Sequence, residues 1–188
     1  MQQLRILVGL LSWLNRIQLR VLAAASVFLV AVITVVIALG VVFRYGFNNS
    51  LSWTEELAKY AMLWLVFTGA PIALRLGMHP GIDLIGDRLS GIAGHLIKAL
   101  VSLCVAAFCG YLAYKGHQFA WNGRSQVAIT IGDLSMYWIF VSIPVGMASL
   151  FLVAVQQLFE HLLGCLNGGS AEPDPFLVQM QKVMDEQA

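Results

Sequence analysis

Long uncharged stretches alternate with short polar connections along this chain. Between Arg20 and Arg44 lie 23 residues, Val21 to Phe43, without a single charge. A hydrocarbon core of roughly 30 Å needs about 20 helical residues, so this stretch is long enough to cross a bilayer. Similar apolar runs follow at about residues 53–74, 96–114 and 134–159, the run at 53–74 carrying Glu55, Glu56 and Lys59 and that at 96–114 Lys98 near their starts. The pattern predicts an all-α integral membrane protein with four transmembrane helices. Ahead of the first run, Leu4, Leu7, Val8, Leu11, Leu14 and Ile17 recur at helical spacing, with Trp13 among them. That predicts an amphipathic extension over residues 1–20, lying along the membrane surface or lengthening the first span. Ile82, Leu84, Ile85 and Leu89 give the second loop its own amphipathic stretch, the mark of a short interfacial helix. The chain thus divides into an interfacial segment (1–20), a four-helix membrane domain (21–160) and a flexible cytoplasmic tail (161–188). A short amphipathic segment from Phe176 to Met184 lies in that tail.

Boundary signals sharpen the pattern. Arg5, Arg16 and Arg20 resemble a basic leader, but the apolar run after them is too long for a signal peptide and no A-x-A-like site closes it. A retained span is expected. The second span opens on Ser52-Trp53-Thr54-Glu55, which fits a capping box with Ser52 as N-cap. Glu55 and Glu56 then sit at the positive end of the helix dipole, and Trp53 marks the interface. Pro71 predicts a kink, and Arg75 and Gly77 the end of that helix. In the third span Ala106 and Gly110 form a small-xxx-small pair. In the fourth, Ser142, Gly146 and Ser149 share a face and Pro144 predicts a bend.

Composition agrees with a membrane protein: 59% of residues are hydrophobic and 11% charged, against about 25% charged in soluble domains. A net charge of +1 gives no electrostatic footprint for nucleic acid. Cys104, Cys109 and Cys165 include no CxxC pair and read as apolar filler. His79, His95, His117 and His161 all fall in loops or at helix ends, whereas a membrane cytochrome needs facing histidines inside its bundle. No phosphate loop, HExxH or Ser/His/Asp arrangement stands out. No catalytic residue, cofactor or metal is expected. With the N-terminus inside, Arg5, Arg16, Arg20, Arg75, Arg88, Lys98 and Lys182 fall on the inner side and Arg44, Lys59, Lys115 and Arg124 on the outer. This bias favours both termini in the cytoplasm.

The charges around the start of the second span invite a functional reading, because charge at a membrane needs a partner. Lys59 lies four residues after Glu55 and three after Glu56, so the three can partly neutralise one another, with Arg44 close by in sequence. One reading is a structural clasp that fixes the helix start or docks another protein. The other is an ion or proton path. No acidic residue occupies the middle of a span, where coupled transporters place their sites, and this weighs against the path.

Particular segments carry a resemblance. Phe43-Arg44-Tyr45-Gly46-Phe47-Asn48 is followed by Leu51-Ser52-Trp53-Thr54-Glu55-Glu56-Leu57-Ala58, then Gly69-Ala70, Arg75-Leu76-Gly77-Met78-His79, Asp83 and Ile143-Pro144-Val145-Gly146. This ordered series, over roughly residues 14–160, resembles the small (Q-type) membrane subunit of tripartite ATP-independent periplasmic (TRAP) transporters. Pro80 departs from the family pattern, in which an aliphatic residue is commoner after that histidine. The resemblance implies sodium-driven uptake of small organic acids. In that scheme a periplasmic substrate-binding protein delivers the solute to a large (M-type) membrane subunit, here a separate chain. The small subunit binds no substrate and scaffolds the large one in the bacterial inner membrane. It implies structural roles, at the assembly interface or membrane boundary, for Arg44, Trp53, Glu55, Glu56, His79 and Asp83, to which the residue reading adds Lys59 and Arg75. The rival readings are a self-sufficient small homo-oligomeric transporter or channel, and a membrane anchor or redox subunit.

Overall fold

The computed structural model describes residues 2–76, 92–132 and 134–166. His79, Asp83, the amphipathic stretch of the second loop and the tail from residue 167 lie outside the described residues. Four long helices dominate: α1 (Gln2–Gly46), α2 (Ser52–Arg75), α3 (Ile92–Asn122) and, after a short helix α4 (Tyr137–Phe140), α5 (Ser142–Leu166). A single 3₁₀ turn, Gly123–Ser125, closes α3. Each long helix has the length and apolar character to cross a bilayer, over Val8–Gly46, Ser52–Arg75, Gly94–Ser125 and Tyr137–Cys165. The fold is an all-α, multi-pass integral membrane protein.

The N-terminal segment and the first span are one continuous helix. At 1.5 Å per residue its 45 residues measure about 67 Å, over twice the hydrocarbon thickness. Ser26 Oγ donates to Thr68 Oγ1 at 3.0 Å, and Gly40 lies against Thr54, so α1 and α2 run antiparallel in a fixed register. Continued at equal spacing, that register sets residue 19 of α1 opposite the end of α2. Residues 2–18 therefore project about 25 Å beyond it. On this projection Asn15 is buried, as is Leu19 at its base, while Leu10, Trp13, Leu14 and Ile17 are uncovered.

Helix ends follow local chemistry. After Gly46 the chain turns back through Asn48, which takes a left-handed φ of 52°, as asparagine tolerates. The amides of Phe47 and Asn49 both donate to the Phe43 carbonyl, satisfying the end of α1. The capping box expected at Ser52 does not form. Leu51 is the N-cap and Ser52 is already helical. Thr54 Oγ1 donates back to the Leu51 carbonyl at 2.7 Å, and Glu55 is drawn instead to Arg44. Pro144 has no N–H for the carbonyl of Phe140, four residues earlier, and the helix is interrupted there, between α4 and α5. Pro71 acts differently. Helix α2 runs through it, and the carbonyl it leaves without an amide, that of Phe67, faces Gly146 of α5.

Helix α5 is the centre of the arrangement. It packs antiparallel along α3 and also meets α2 and α1. Facing pairs run in opposite order along α3 and α5: His95 with Gly164, Gly110 with Phe151, Gly116 with Ile143 and Pro144. The core draws on all four long helices through Leu19, Leu74, Ala106, Cys109, Leu150, Val153 and Ala154. Small residues at these positions let backbones approach closely, which is how helices gain van der Waals contact when lipid gives no hydrophobic preference.

Gly146 is the closest of these approaches. A Cβ there would lie 2.6 Å from both the Cβ and the carbonyl oxygen of Phe67, whereas a Cβ at Gly69 would meet nothing within 4 Å. Gly146→Val should therefore destabilise the α2–α5 contact by about 1–3 kcal/mol, while Gly69→Ala should be neutral or slightly stabilising. Thermal unfolding of both variants in one detergent checks the contrast.

Candidate functional site

Polar side chains gather in two clusters, one at each end of the helix group. At the first end Arg44, in the last turn of α1, reaches the first turn of α2. Its Nη2 donates to Glu55 Oε1 at 2.5 Å and to Ser50 Oγ at 3.3 Å. Both partners are about half exposed, at 49% and 60%, so the pair is worth about 1 kcal/mol at most where water reaches it. Its geometric effect is to close the α1–α2 turn.

Glu56 points elsewhere. Its carboxylate accepts the backbone amides of Ile129 (3.0 Å) and Thr130 (2.7 Å), and also the hydroxyls of Thr130 and Tyr60. The acceptor belongs to α2 and the two amides to the loop after α3, 73 and 74 residues away. That loop folds as a small hairpin. Ala128 N–H donates to the Leu134 carbonyl at 2.9 Å and Met136 N–H to that of Gln126 at 2.9 Å, and Gly132 supplies a φ of +64° at the turn. Its tip carries Ile129, which is 91% exposed. A carboxylate accepting two backbone amides and two hydroxyls leaves the tip little freedom.

The second end is drier. Arg75, at the end of α2, is only 6% exposed. Its Nη1 and Nη2 donate to the two oxygens of Glu160, on α5, each at 3.0 Å, the bidentate geometry that suits a guanidinium. Gln156 Nε2 donates to Glu160 Oε1 at 2.6 Å. Asn15 Nδ2 donates to Gln156 Oε1 at 2.6 Å and to the Leu152 carbonyl at 3.1 Å. Gln157 Nε2 reaches the Leu74 carbonyl at 3.3 Å. One connected network thus joins α1, α2 and α5. On the far side of α5 the His161 ring lies 6.2 Å from that of His95, on α3.

The expected site residues separate accordingly. Arg44 and Glu55 meet, Glu56 holds the loop and Trp53 lies at the same boundary, partly exposed. Lys59 is exposed and forms no ion pair with Glu55 or Glu56, so the local neutralisation expected from its spacing does not occur. Each carboxylate has a nearer partner contributed by another element. Arg75 is a buried tie between helices. Asn15, Gln156 and Glu160 were not anticipated. Their signal was present, since Asn15 interrupts an apolar stripe and Gln156 and Glu160 stand four apart, one helical turn, on α5. Among the described residues no group of three or more His, Cys, Asp or Glu could hold a metal ion.

Four spanning helices tied at both ends by their own polar groups define a multi-pass membrane protein. Comparison with known families then fixes its lineage. A family model described as Tripartite ATP-independent periplasmic transporters, DctQ component, matches residues 33–164, and the chain belongs to this family. A protein of Haemophilus influenzae named as a TRAP transporter small permease is 29% identical over 97 residues, 52% of this chain and 60% of that one. The sialic acid TRAP transporter small permease protein SiaQ of Vibrio cholerae is 26% identical over 146 residues, 78% of this chain and 83% of that one. The C4-dicarboxylate TRAP transporter small permease protein DctQ of Rhodobacter capsulatus is 28% identical over 112 residues, 58% and 49%. The chain spans between about half and four fifths of these relatives.

Two expectations follow from the site. Removing either partner of the Arg75–Glu160 pair, by Arg75→Gln or Glu160→Gln, should cost about 3–5 kcal/mol, because an uncompensated charge or unmade hydrogen bonds stay behind. Arg44→Gln should cost about 1 kcal/mol or less; unfolding of the three variants in detergent checks the order. Glu56→Gln should release the hairpin tip. Hydrogen exchange should then accelerate at Ile129 and Thr130 by tenfold or roughly more, with the α3–α5 core unaffected.

Proposed function

We propose that this chain is the small permease subunit of a TRAP transporter and acts as a rigid scaffold for a separate, larger membrane subunit. The observation that carries this reading is the use of its polar groups. Arg44, Glu55, Glu56, Arg75, Gln156 and Glu160 are all engaged within the chain, at its two ends. The long faces between them are apolar and largely uncovered, above all on α1, where Val27, Phe28, Val35 and Val42 are exposed. A carrier needs polar groups free to meet its solute near the midplane; a frame needs helices that keep their register.

The relatives support a division of labour. Their names cite sialic acid, C4-dicarboxylate and isethionate. All three are small organic anions of unlike shape, in keeping with uptake of organic acids and with selection by other components. The chain also matches part of the sialic acid TRAP transporter permease protein SiaT of Haemophilus influenzae, covering 18% of it. That fits a small unit accompanied by a much larger one. In this reading a periplasmic binding protein supplies the solute and a sodium gradient drives it. In the same reading the complex sits in the bacterial inner membrane with both termini of this chain cytoplasmic, an orientation supported by seven Lys and Arg residues against four. The Arg44 end then faces the periplasm.

Affinity purification from native membranes in mild detergent tests the reading. A stoichiometric, larger polytopic partner is expected. Recovery of the chain alone, together with solute uptake by the purified chain in liposomes, would overturn it in favour of a self-sufficient transporter. Arg44→Ala and Glu56→Ala should lower uptake in cells through loss of the large partner from the purified complex. Substrate affinity of whatever complex remains should be unchanged.

A further inference from the structure

We infer that Arg124 forms a binding site for the phosphodiester of a phospholipid headgroup, in the leaflet on the Arg44 side. Arg124 lies in the 3₁₀ turn that closes α3. Its guanidinium carbon stands 3.4 Å from the ring centroid of Trp121 and 4.8 Å from that of Tyr137. Its backbone is held as well. Ser135 Oγ donates to the Arg124 carbonyl at 3.3 Å, and Gly123 is packed so tightly on Phe140 that a Cβ there would lie 2.6 Å from the ring. A guanidinium set against aromatic rings through its face keeps its N–H groups along the edge, and these need acceptors.

The described residues supply none. No hydrogen bond or ion pair from the Arg124 side chain is made among them. Both described carboxylates at this end are occupied, Glu55 by Arg44 and Glu56 by the hairpin tip. The depth of the site points to lipid. Trp121 and Tyr137 stand at the ends of two candidate spans, Gly94–Ser125 and Tyr137–Cys165. Trp121 and Trp138 are 52% and 63% exposed. Tryptophan and tyrosine at such ends mark the headgroup level, where their rings meet glycerol and upper acyl chain. The anion abundant at that level is the phosphodiester, whose oxygens match the guanidinium fork.

Native mass spectrometry of the full chain in mild detergent tests this, with titration by phosphatidylglycerol, phosphatidylethanolamine and monoglucosyl diacylglycerol, which has no phosphate. The wild type should retain both phospholipids about tenfold better than the glycolipid. Arg124→Gln should remove that preference and leave glycolipid retention unchanged. Arg124→Lys, which keeps the charge without the fork, should fall between, and it decides the matter if the glutamine variant does not fold. Free glycerol 3-phosphate in millimolar excess should not displace the lipid. Equal phospholipid retention by wild type and the variants would overturn the proposal. So would displacement by the soluble phosphate, which would assign the site to an aqueous ligand. Loss of a co-purifying protein from the Arg124 variants with lipid retention intact would overturn it too, in favour of a protein carboxylate.

Discussion

A hydrocarbon medium offers no partner to a charge, and the bidentate pair of Arg75 with Glu160 is where this chain meets that constraint most directly. Arg75 is a cation covered almost completely by protein. Its carboxylate stands on another helix, and the remaining capacity of that carboxylate is taken by Gln156, which in turn accepts from Asn15 of a third. Each member needs the next to be in place. The end of α2, the end of α5 and the projecting part of α1 are therefore set relative to one another by directional bonds. Apolar packing alone would leave them free to slide, since lipid chains solvate a valine or leucine face about as well as another helix does.

The opposite end uses the same chemistry under wetter conditions. Arg44 and Glu55 close a turn between consecutive helices, a task that costs little loop entropy and needs little energy. Glu56 does the harder one, holding a loop distant in sequence by its backbone amides. Between the ends, glycine and alanine allow α5 to sit against α2 and α3 at short range, and the two prolines interrupt hydrogen bonding with opposite results. Pro144 divides a helix, whereas Pro71 leaves a helix intact and the Phe67 carbonyl, four residues before it, faces Gly146. The outcome is a set of long helices held in register at both ends, with broad apolar faces left to lipid or to another subunit. Such a body suits the proposed scaffold role better than a carrier's, in which one part must move against another.

The chain belongs to the DctQ family, whose named members include small permeases of sialic acid and C4-dicarboxylate TRAP transporters. The polar groups of the two end networks account for themselves without any solute. Their energetic demand is met inside the chain, as the proposed scaffold role requires.

Four spans and the gathering of charges at their ends were legible in the sequence alone, as were Arg44, Glu55, Glu56 and Arg75 as charges in need of partners. Those conclusions depend on span length, uncharged runs and the cost of isolated charge, all of which are properties of contiguous residues. Tertiary structure decided which charges meet. Spacing along one helix put Lys59 beside Glu55 and Glu56, but Arg44 and the hairpin amides reach those carboxylates from other elements. Asn15, Gln156 and Glu160 stand far apart or on one helix face in the sequence, and only the packing of three helices joins them with Arg75. The capping box at Ser52 gave way for a similar reason, since Glu55 meets an arginine across the turn. A pattern in sequence reports what one helix can offer to its surroundings, and only the packed bundle selects, among several chemically competent partners, the one near enough to accept it.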